Sequence, residues 1–283
     1  MALRINYNLA ASVAQRSLGS SQDNYARQAE RLATGLRINK AGDDAAGMAI
    51  SERLKNQVRG LNQAQRNAQD GISLIQTAEG AMGEAHSLLA RMRELAVQAA
   101  NDTVTSTDRS NILTEFTSLY AEIDRIATST QFNGVAILTG GSTALSLQIG
   151  ANSNNSLVND NVISLNITPG GSFYASVLSP TMTDMGVTSQ SVANLAISTL
   201  DAAINAVSTA RTSVGSMQSR LESASRSIAV ASENAAAANS RIADADIASS
   251  MSELVRAQIL QQAGISVLAQ ANQAPSLVLQ LLK

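Results

Sequence analysis

No cysteine occurs in this chain, which excludes disulfides and thiol chemistry and leaves the redox compartment open. Tryptophan is absent too, and aromatic residues make up 2% of the sequence. A thick core normally draws on such rings for buried area, so a compact enzyme fold is disfavoured. Proline appears only at Pro169, Pro180 and Pro275, leaving residues 1–168 and 181–274 without any. Stretches that long, rich in Ala, Gln, Leu, Arg and Glu, permit very long helices. No run reaches the roughly 18 consecutive apolar residues of a membrane-spanning helix, so membrane insertion is not expected. The opening "MALRINYNLAASVAQRSLGS" is interrupted by Arg, Asn and Gln and has no secretory signal core. With a formal net charge of −2 and no basic cluster, nucleic acid is a poor candidate partner.

What the chain has instead is small apolar residues. Hydrophobic content is 45%, much of it alanine, a proportion that suits thin bundles of closely packed helices. From Ala196 through Leu200, Ala203, Val207, Ala210, Val214, Met217, Leu221, Ala224, Ile228, Ala231, Ala235, Ala238 and Ile242 to Ala245, apolar residues alternate by four and three. That is a sustained heptad seam, and at about 1.5 Å per residue the helix would be a rod of roughly 75 Å. A partner helix carries Leu54, Val58, Leu61, Gln65, Ala68, Ile72, Ile75, Glu79 and Met82 at the same spacing, with two polar breaks. Beyond Met82 the stripe drifts to Leu89, Met92 and Leu95. Asp43 or Asp44 is placed to cap its start. A third helix shows Ile112, Phe116, Leu119, Ile123 and Ile126 after the turn-like "NDTVTSTDRSN".

Between these helices the period changes. Asn-Gly and Gly-Gly turns, with alternation in "ALSLQIG" and "VISLNI", predict short strands and hairpins. Residues from about 169 to 188 read as a surface loop. The fold class expected is mainly α: a long-helix rod with heptad seams, a small β-hairpin region, and helical arms at each end that pair on assembly.

Those arms follow from two joints. A second stripe, Ile247, Met251, Leu254, Gln258, Gln261, Ile265 and Leu268, begins two residues out of phase with the long seam. "TGLRINKAGDDAAG", residues 34–47, holds three glycines between the first and second helical patterns. From Ile247 onward the only charged residues are Glu253, Arg256 and Lys283. Two arms pairing alone would bury one face of each, so neighbouring copies are expected to supply the rest, and the arms to order on assembly.

Chemistry-bearing residues are sparse. His86, the single histidine, falls on a helix seam and cannot build an imidazole cluster. "GDDAAG" lacks the Lys-Ser/Thr of a phosphate loop and reads as a turn with a helix cap. No nucleophile–base arrangement is evident. No catalytic residue, metal site or cofactor is expected.

The stretch "ERLATGLRINKAGDDAAGMAISERLKNQVRGLNQAQRNAQDGISLIQTAEGAM" resembles the N-terminal region of bacterial flagellin. So do "RMRELAVQAANDT", "EIDRIATSTQFNG", "SRIADADIASSM" and "QILQQAGISVLAQANQAP", over about residues 1–155 and 190–283. The resemblance implies a structural subunit that polymerises into the flagellar filament for motility. It implies an inner layer of paired arms (residues 1–40 and 246–283) and an outer rod. The rod would comprise residues 41–165 and 190–245, with a short variable region at 166–189. The rod seam is then Leu200, Val207, Val214, Met217, Leu221, Ile228 and Ile242, and the inner-layer assembly residues are Ile247, Met251, Leu254, Ile265 and Leu268.

It further implies unfolded export by the flagellar type III apparatus and an export chaperone on the C-terminal arm. Filament junction and cap proteins would be partners alongside the chain itself. The location would be the extracellular flagellum, or the periplasm in a spirochaete. By the same resemblance Arg91, Leu95 and Glu115 match a contact patch for animal Toll-like receptor 5. Ser172, Ser176, Ser179, Thr181 and Thr183 are candidate O-glycosylation positions. A hook–filament junction protein and a coiled-coil scaffold are the alternatives, and the complete C-terminal "ILQQAGISVLAQANQ" favours flagellin.

Overall fold

The computed structural model describes residues 8–139, 145–152, 161–165 and 187–281, with side chains through residue 273. The five candidate glycosylation positions lie outside the described residues. Those residues form helices α1 (Leu9–Thr34), α2 (Ala45–Ala99), α3 (Ser106–Ser129), α4 (Gln190–Ala243) and α5 (Ile247–Leu281). Two antiparallel pairs accompany them: β1 (Gln131–Phe132) with β2 (Val135–Ala136), and β3 (Leu145–Gln148) with β4 (Val162–Leu165). The fold is mainly α with a small β component, in line with the periodicity.

The chain divides into two compact units, Gln57–Glu233 and Met1–Asn56 with Asn234–Lys283. The division falls inside α2 and α4, whereas the sequence joints lie at residues 40/41 and 245/246. A heptad seam continues through a contact boundary, so the pattern alone cannot mark it.

In the Gln57–Glu233 unit, α2 and α4 run antiparallel. Arg93 Nε donates to Asp201 Oδ1 at 2.6 Å, Arg211 Nη2 lies 3.6 Å from Glu79, and Ser232 Oγ donates to Asn62 Oδ1 at 2.9 Å. Descending α2 is thus ascending α4. On α4, Ala196, Leu200, Ala203, Val207, Ala210 and Val214 are buried as expected, followed by Leu221 and Ile228. Met217 and Ala224 are only half-buried and Ala231 is exposed, so past Val214 one of the two rows carries the packing.

The partner seam on α2 differs from expectation in its second row. Leu61, Ala68, Ile75 and Met82 are buried, but their companions are Ala64, Gly71, Ala78 and Ala85. Gln65, Ile72 and Glu79 are half-buried. Nor does the stripe drift: Leu89, Met92, Ala96 and Ala99 continue the alternation of four and three, with Leu95 buried beside it. The physical reason is size. Helices packed through Ala and Gly on one row approach closely, and residues that look weakly hydrophobic become the most enclosed. His86 therefore sits next to the seam, half-buried, while Ala85 occupies it.

Helix α3 starts at a capping box. The Thr105 hydroxyl accepts from the Asp108 backbone N–H, and the Asp108 carboxylate accepts from the Thr105 backbone N–H. Its buried face is Ile112, Phe116, Ile123 and Ala127, with Leu119 half-buried and Ala127 in the place expected for Ile126. Asn133 and Gly134, both at positive φ (50° and 77°), form the two-residue turn between β1 and β2 that the Asn-Gly pair predicted. In the second hairpin Leu145 pairs with Leu165 and Leu147 with Ile163. Asn67 Nδ2 ties this hairpin to α2 by donating to Gln148 O at 2.9 Å.

In the other unit, α1 and α5 pair. The Asn8 side chain caps α1 by accepting from Ala11 N, and its Nδ2 donates to Ala271 O at 2.8 Å. Gly35 ends α1 in the left-handed region, φ 71°, where glycine carries no steric penalty. Asp44, of the two candidates, caps α2, accepting from Gly47 N at 2.8 Å. Asp43 instead accepts from the Lys40 and then the Asn39 amide, which holds its carboxyl below the usual range.

Candidate functional site

Large aliphatic side chains of both helices in the α1–α5 pair stand exposed. Within it α5 turns Ser250, Leu254, Ala257, Gln261, Gly264, Leu268 and Ala271 inward, each buried or half-buried. The expected stripe shares Leu254, Gln261 and Leu268 with this row. Its other members face outward: Ile247, Met251 and Ile265 at 50%, 47% and 54% exposure, and Gln258, also exposed. Val255, Ile259, Leu260 and Val267 are exposed as well, as are Leu9 and Val13 of α1.

The cause is again a row of small residues. Ser250, Ala257 and Gly264 let α1 approach, so that a Cβ on Gly264 would stand 3.3 Å from Leu18 Cδ1. The bulky aliphatics are displaced to the flanks. An apolar groove of about 630 Å³ remains between the helices, bordered by Leu9, Val13, Leu18, Leu260 and Val267. Ile242, expected as the last rod-seam residue, is half-buried, and Ala243 beside it is enclosed.

The second group lies where α2 passes α3. Arg91 donates from Nε and Nη2 to Glu115 Oε1 at 3.0 and 2.9 Å, and from Nη1 to Glu94 Oε2 at 3.0 Å. These two carboxylates, Glu115 foremost, raise the Arg91 pKa. Both Arg91 and Glu115 are about half exposed. Leu95, the third residue of the expected patch, is 2% exposed and belongs to the core. The structure therefore brings Arg91 and Glu115 together on the surface and puts Leu95 beneath it. Glu94 joins them, a residue that the spacing of three from Arg91 on one helix would have suggested.

Among the described residues no group of three or more His, Cys, Asp or Glu is placed to hold a metal ion. No described helix is long and apolar enough to cross a membrane.

Long antiparallel helices with small-residue seams in one unit, and in the other a helix pair whose large aliphatics stay uncovered, fit a structural subunit that meets other chains. The bacterial flagellin N-terminal helical region matches residues 5–143, and the bacterial flagellin C-terminal helical region matches residues 197–282. A flagellin of Halalkalibacterium halodurans is 47% identical, covering 99% of each chain. A flagellar filament 30.7 kDa core protein of Treponema maltophilum is 41% identical, covering 98% of this chain and 99% of that one. The solved structure of a protein assigned as flagellar hook-associated, from Vibrio parahaemolyticus, shares the fold at 14% identity. Its TM-score is 0.57, over 71% of this chain and all of that one. The chain belongs to the bacterial flagellins, and its function is that of a structural subunit of the flagellar filament.

Proposed function

We propose that the chain assembles through the uncovered sides of α1 and α5, which become the inner wall of the filament. The observation that carries this reading is the exposure of Ile247, Met251, Val255, Ile259, Ile265 and Val267 along one terminal helix. Fully burying an aliphatic side chain of this size contributes about 1.5–3 kcal/mol. Several of them on each subunit supply an ample drive for an open-ended heterologous contact. Leu254 and Leu268 act from the inward row and fix how the exposed row is presented.

In this reading the protein leaves the cell through the flagellar type III apparatus and becomes part of the extracellular flagellum. An export chaperone covers the apolar C-terminal arm beforehand, and junction and cap proteins bound the growing filament. The exposed pair Arg91 and Glu115 forms the core of a surface for animal Toll-like receptor 5, with Leu95 supporting it from below.

Electron microscopy of purified protein added to short sonicated filament seeds tests the assembly reading. Full-length chain is expected to extend seeds, and chain truncated after Ala245 is expected not to. Extension by both would remove α5 from the mechanism.

A further inference from the structure

Sulfur enters this chain only through methionine, since cysteine is absent. Among the described residues Met82 and Met92 are enclosed in the core and Met48 and Met217 are half-buried. Met251 alone of them stands exposed, at 47%. It is set in an apolar run. Ile247, Met251, Val255 and Ile259 recur every four residues on α5 and so share one side of it, each about half exposed. This run lies off the row of Ser250, Leu254 and Ala257 that is turned inward. A small solute therefore reaches the Met251 thioether whether or not α5 is paired with α1.

A thioether differs from its aliphatic neighbours in one respect. It fills apolar space as they do, but a peroxide converts it to a sulfoxide, a polar group with an acceptor oxygen. The sulfur lone pair attacks one peroxide oxygen and the O–O bond breaks. The departing hydroxide takes the proton from the new S–OH group and leaves as water. Sulfur is oxidised and the peroxide is reduced.

We propose that Met251 is an oxidation site that gates assembly. A subunit oxidised there by a hydroperoxide before incorporation is refused by the filament, and a subunit already incorporated is protected. This rests on the assembly reading above, in which neighbouring copies cover this side of α5. Covering a sulfoxide oxygen with aliphatic side chains leaves it without a hydrogen-bond partner, which opposes the contact. Isoleucine or valine, present at the other three positions of the run, fills the same space and has no such sensitivity. The sulfur is what makes the run responsive to oxidant.

The test treats free chain with dilute hydrogen peroxide, measures conversion at Met251 by peptide mass spectrometry, and follows extension of sonicated seeds by electron microscopy. Oxidised parent chain is expected to extend seeds about tenfold or more slowly than untreated chain, the scale on which a buried, unpaired polar group weakens an association. Met251→Leu treated in the same way is expected to keep its untreated rate, although its remaining methionines have met the same peroxide. Met251→Ile serves as the second variant if leucine does not fit. Methionine sulfoxide reductase is expected to restore the oxidised parent. In filaments sheared from cells, Met251 is expected to oxidise at least about tenfold more slowly than in the free chain, because susceptibility follows exposure.

A free chain in which Met251 resists peroxide would overturn the site. A parent chain fully converted at Met251 that still extends seeds at the untreated rate would overturn the gate. So would a peroxide-treated Met251→Leu or Met251→Ile that loses extension as the parent does. Equal conversion of Met251 in free chain and filament would overturn the protection. Failure of untreated parent chain to extend seeds would count against the assembly reading alone, since the two conversion rates still judge whether native filaments cover Met251.

Discussion

Leu147 fills the space that Gly71 leaves open on α2: a Cβ at Gly71 would overlap the Leu147 side chain and come within 3.3 Å of Leu221. Gly60, eleven residues earlier, stands in the same relation to Ala151. The β3–β4 hairpin is seated on α2 by two missing side chains and by the Asn67–Gln148 hydrogen bond. Glycine inside a helix costs about 1 kcal/mol relative to alanine, so these two are retained against helix propensity for the sake of close approach.

Gly71→Ala is therefore expected to destabilise the folded chain, because overpacking by one methyl group costs about 1–3 kcal/mol and exceeds the propensity gain. Adding Leu147→Ala should recover part of the loss by making room. Gly215→Ala meets open space and should stabilise the free subunit by up to about 1 kcal/mol. Thermal unfolding of the three variants checks the sign of each. A stabilising Gly71→Ala would mean the hairpin is not seated there.

The two rows of a seam were unequally legible in the sequence. The row Leu61, Ala68, Ile75 and Met82 stands out because three of its four side chains are large and all recur at seven-residue spacing, as does Leu254, Gln261 and Leu268 on α5. The companion rows, Ala64–Gly71–Ala78–Ala85 and Ser250–Ala257–Gly264–Ala271, have little hydrophobicity of their own. Their burial comes from how closely another helix approaches, a property of the pair and not of either sequence. Larger neighbours at Ile72, Ile265 and Met251 drew the pattern one residue aside. The short strands and the Asn133–Gly134 turn were readable because turn chemistry is local. The enclosure of Leu95 was readable from its place on the α2 stripe, whereas the pairing of Arg91 with Glu115 was not in the spacing, since it depends on where α3 crosses α2.

The same asymmetry predicts unequal costs along α4. Leu221 is fully buried, while Leu195 is 59% exposed. Leu221→Ala should cost about 2–5 kcal/mol through lost burial and the cavity left behind. Leu195→Ala should cost under about 0.5 kcal/mol, as surface substitutions usually do. Denaturant titration of the unpolymerised chain separates the two. Equal effects would indicate that the seam past Val214 packs on a different row.

The capping box of α3 gives a pH dependence with a definite sign. The Thr105 hydroxyl, and then its backbone N–H, hold the Asp108 carboxyl below the ordinary aspartate value. A folded pKa that is depressed contributes stability above the unfolded pKa, about 4, and loses it as pH falls through the folded value. The melting temperature of the parent chain should exceed that of Asp108→Ala at neutral pH. The gap should close only below about pH 4. A gap that persists into stronger acid would assign the effect to something other than the carboxylate.

Receptor recognition, if it uses the Arg91–Glu115 surface, should depend on charge there and on shape at Leu95. Arg91→Asp is expected to reduce signalling in cells bearing Toll-like receptor 5 by about tenfold or more, the scale of losing a charged contact at an interface. Because both partners are half exposed, the fold should be little changed. Leu95→Ala should reduce signalling and stability together, since that side chain is in the core. Equal signalling by Arg91→Asp and the parent chain would remove the assignment.

The exposed row of α5 separates assembly from folding most cleanly. Ile265 is 54% exposed and outside the inward row, so Ile265→Asp leaves the α1–α5 pairing intact. In a filament the same position would bury a carboxylate without a partner, which costs several kcal/mol. The variant is expected to match the parent chain by circular dichroism as a free subunit and to fail to extend seeds. Ala257→Asp, at a position 5% exposed, puts a carboxylate in the row that faces α1 and should likewise fail to extend seeds. If Ile265→Asp extended seeds at the parent rate, the outward aliphatics of α5 would not be the contact that drives extension.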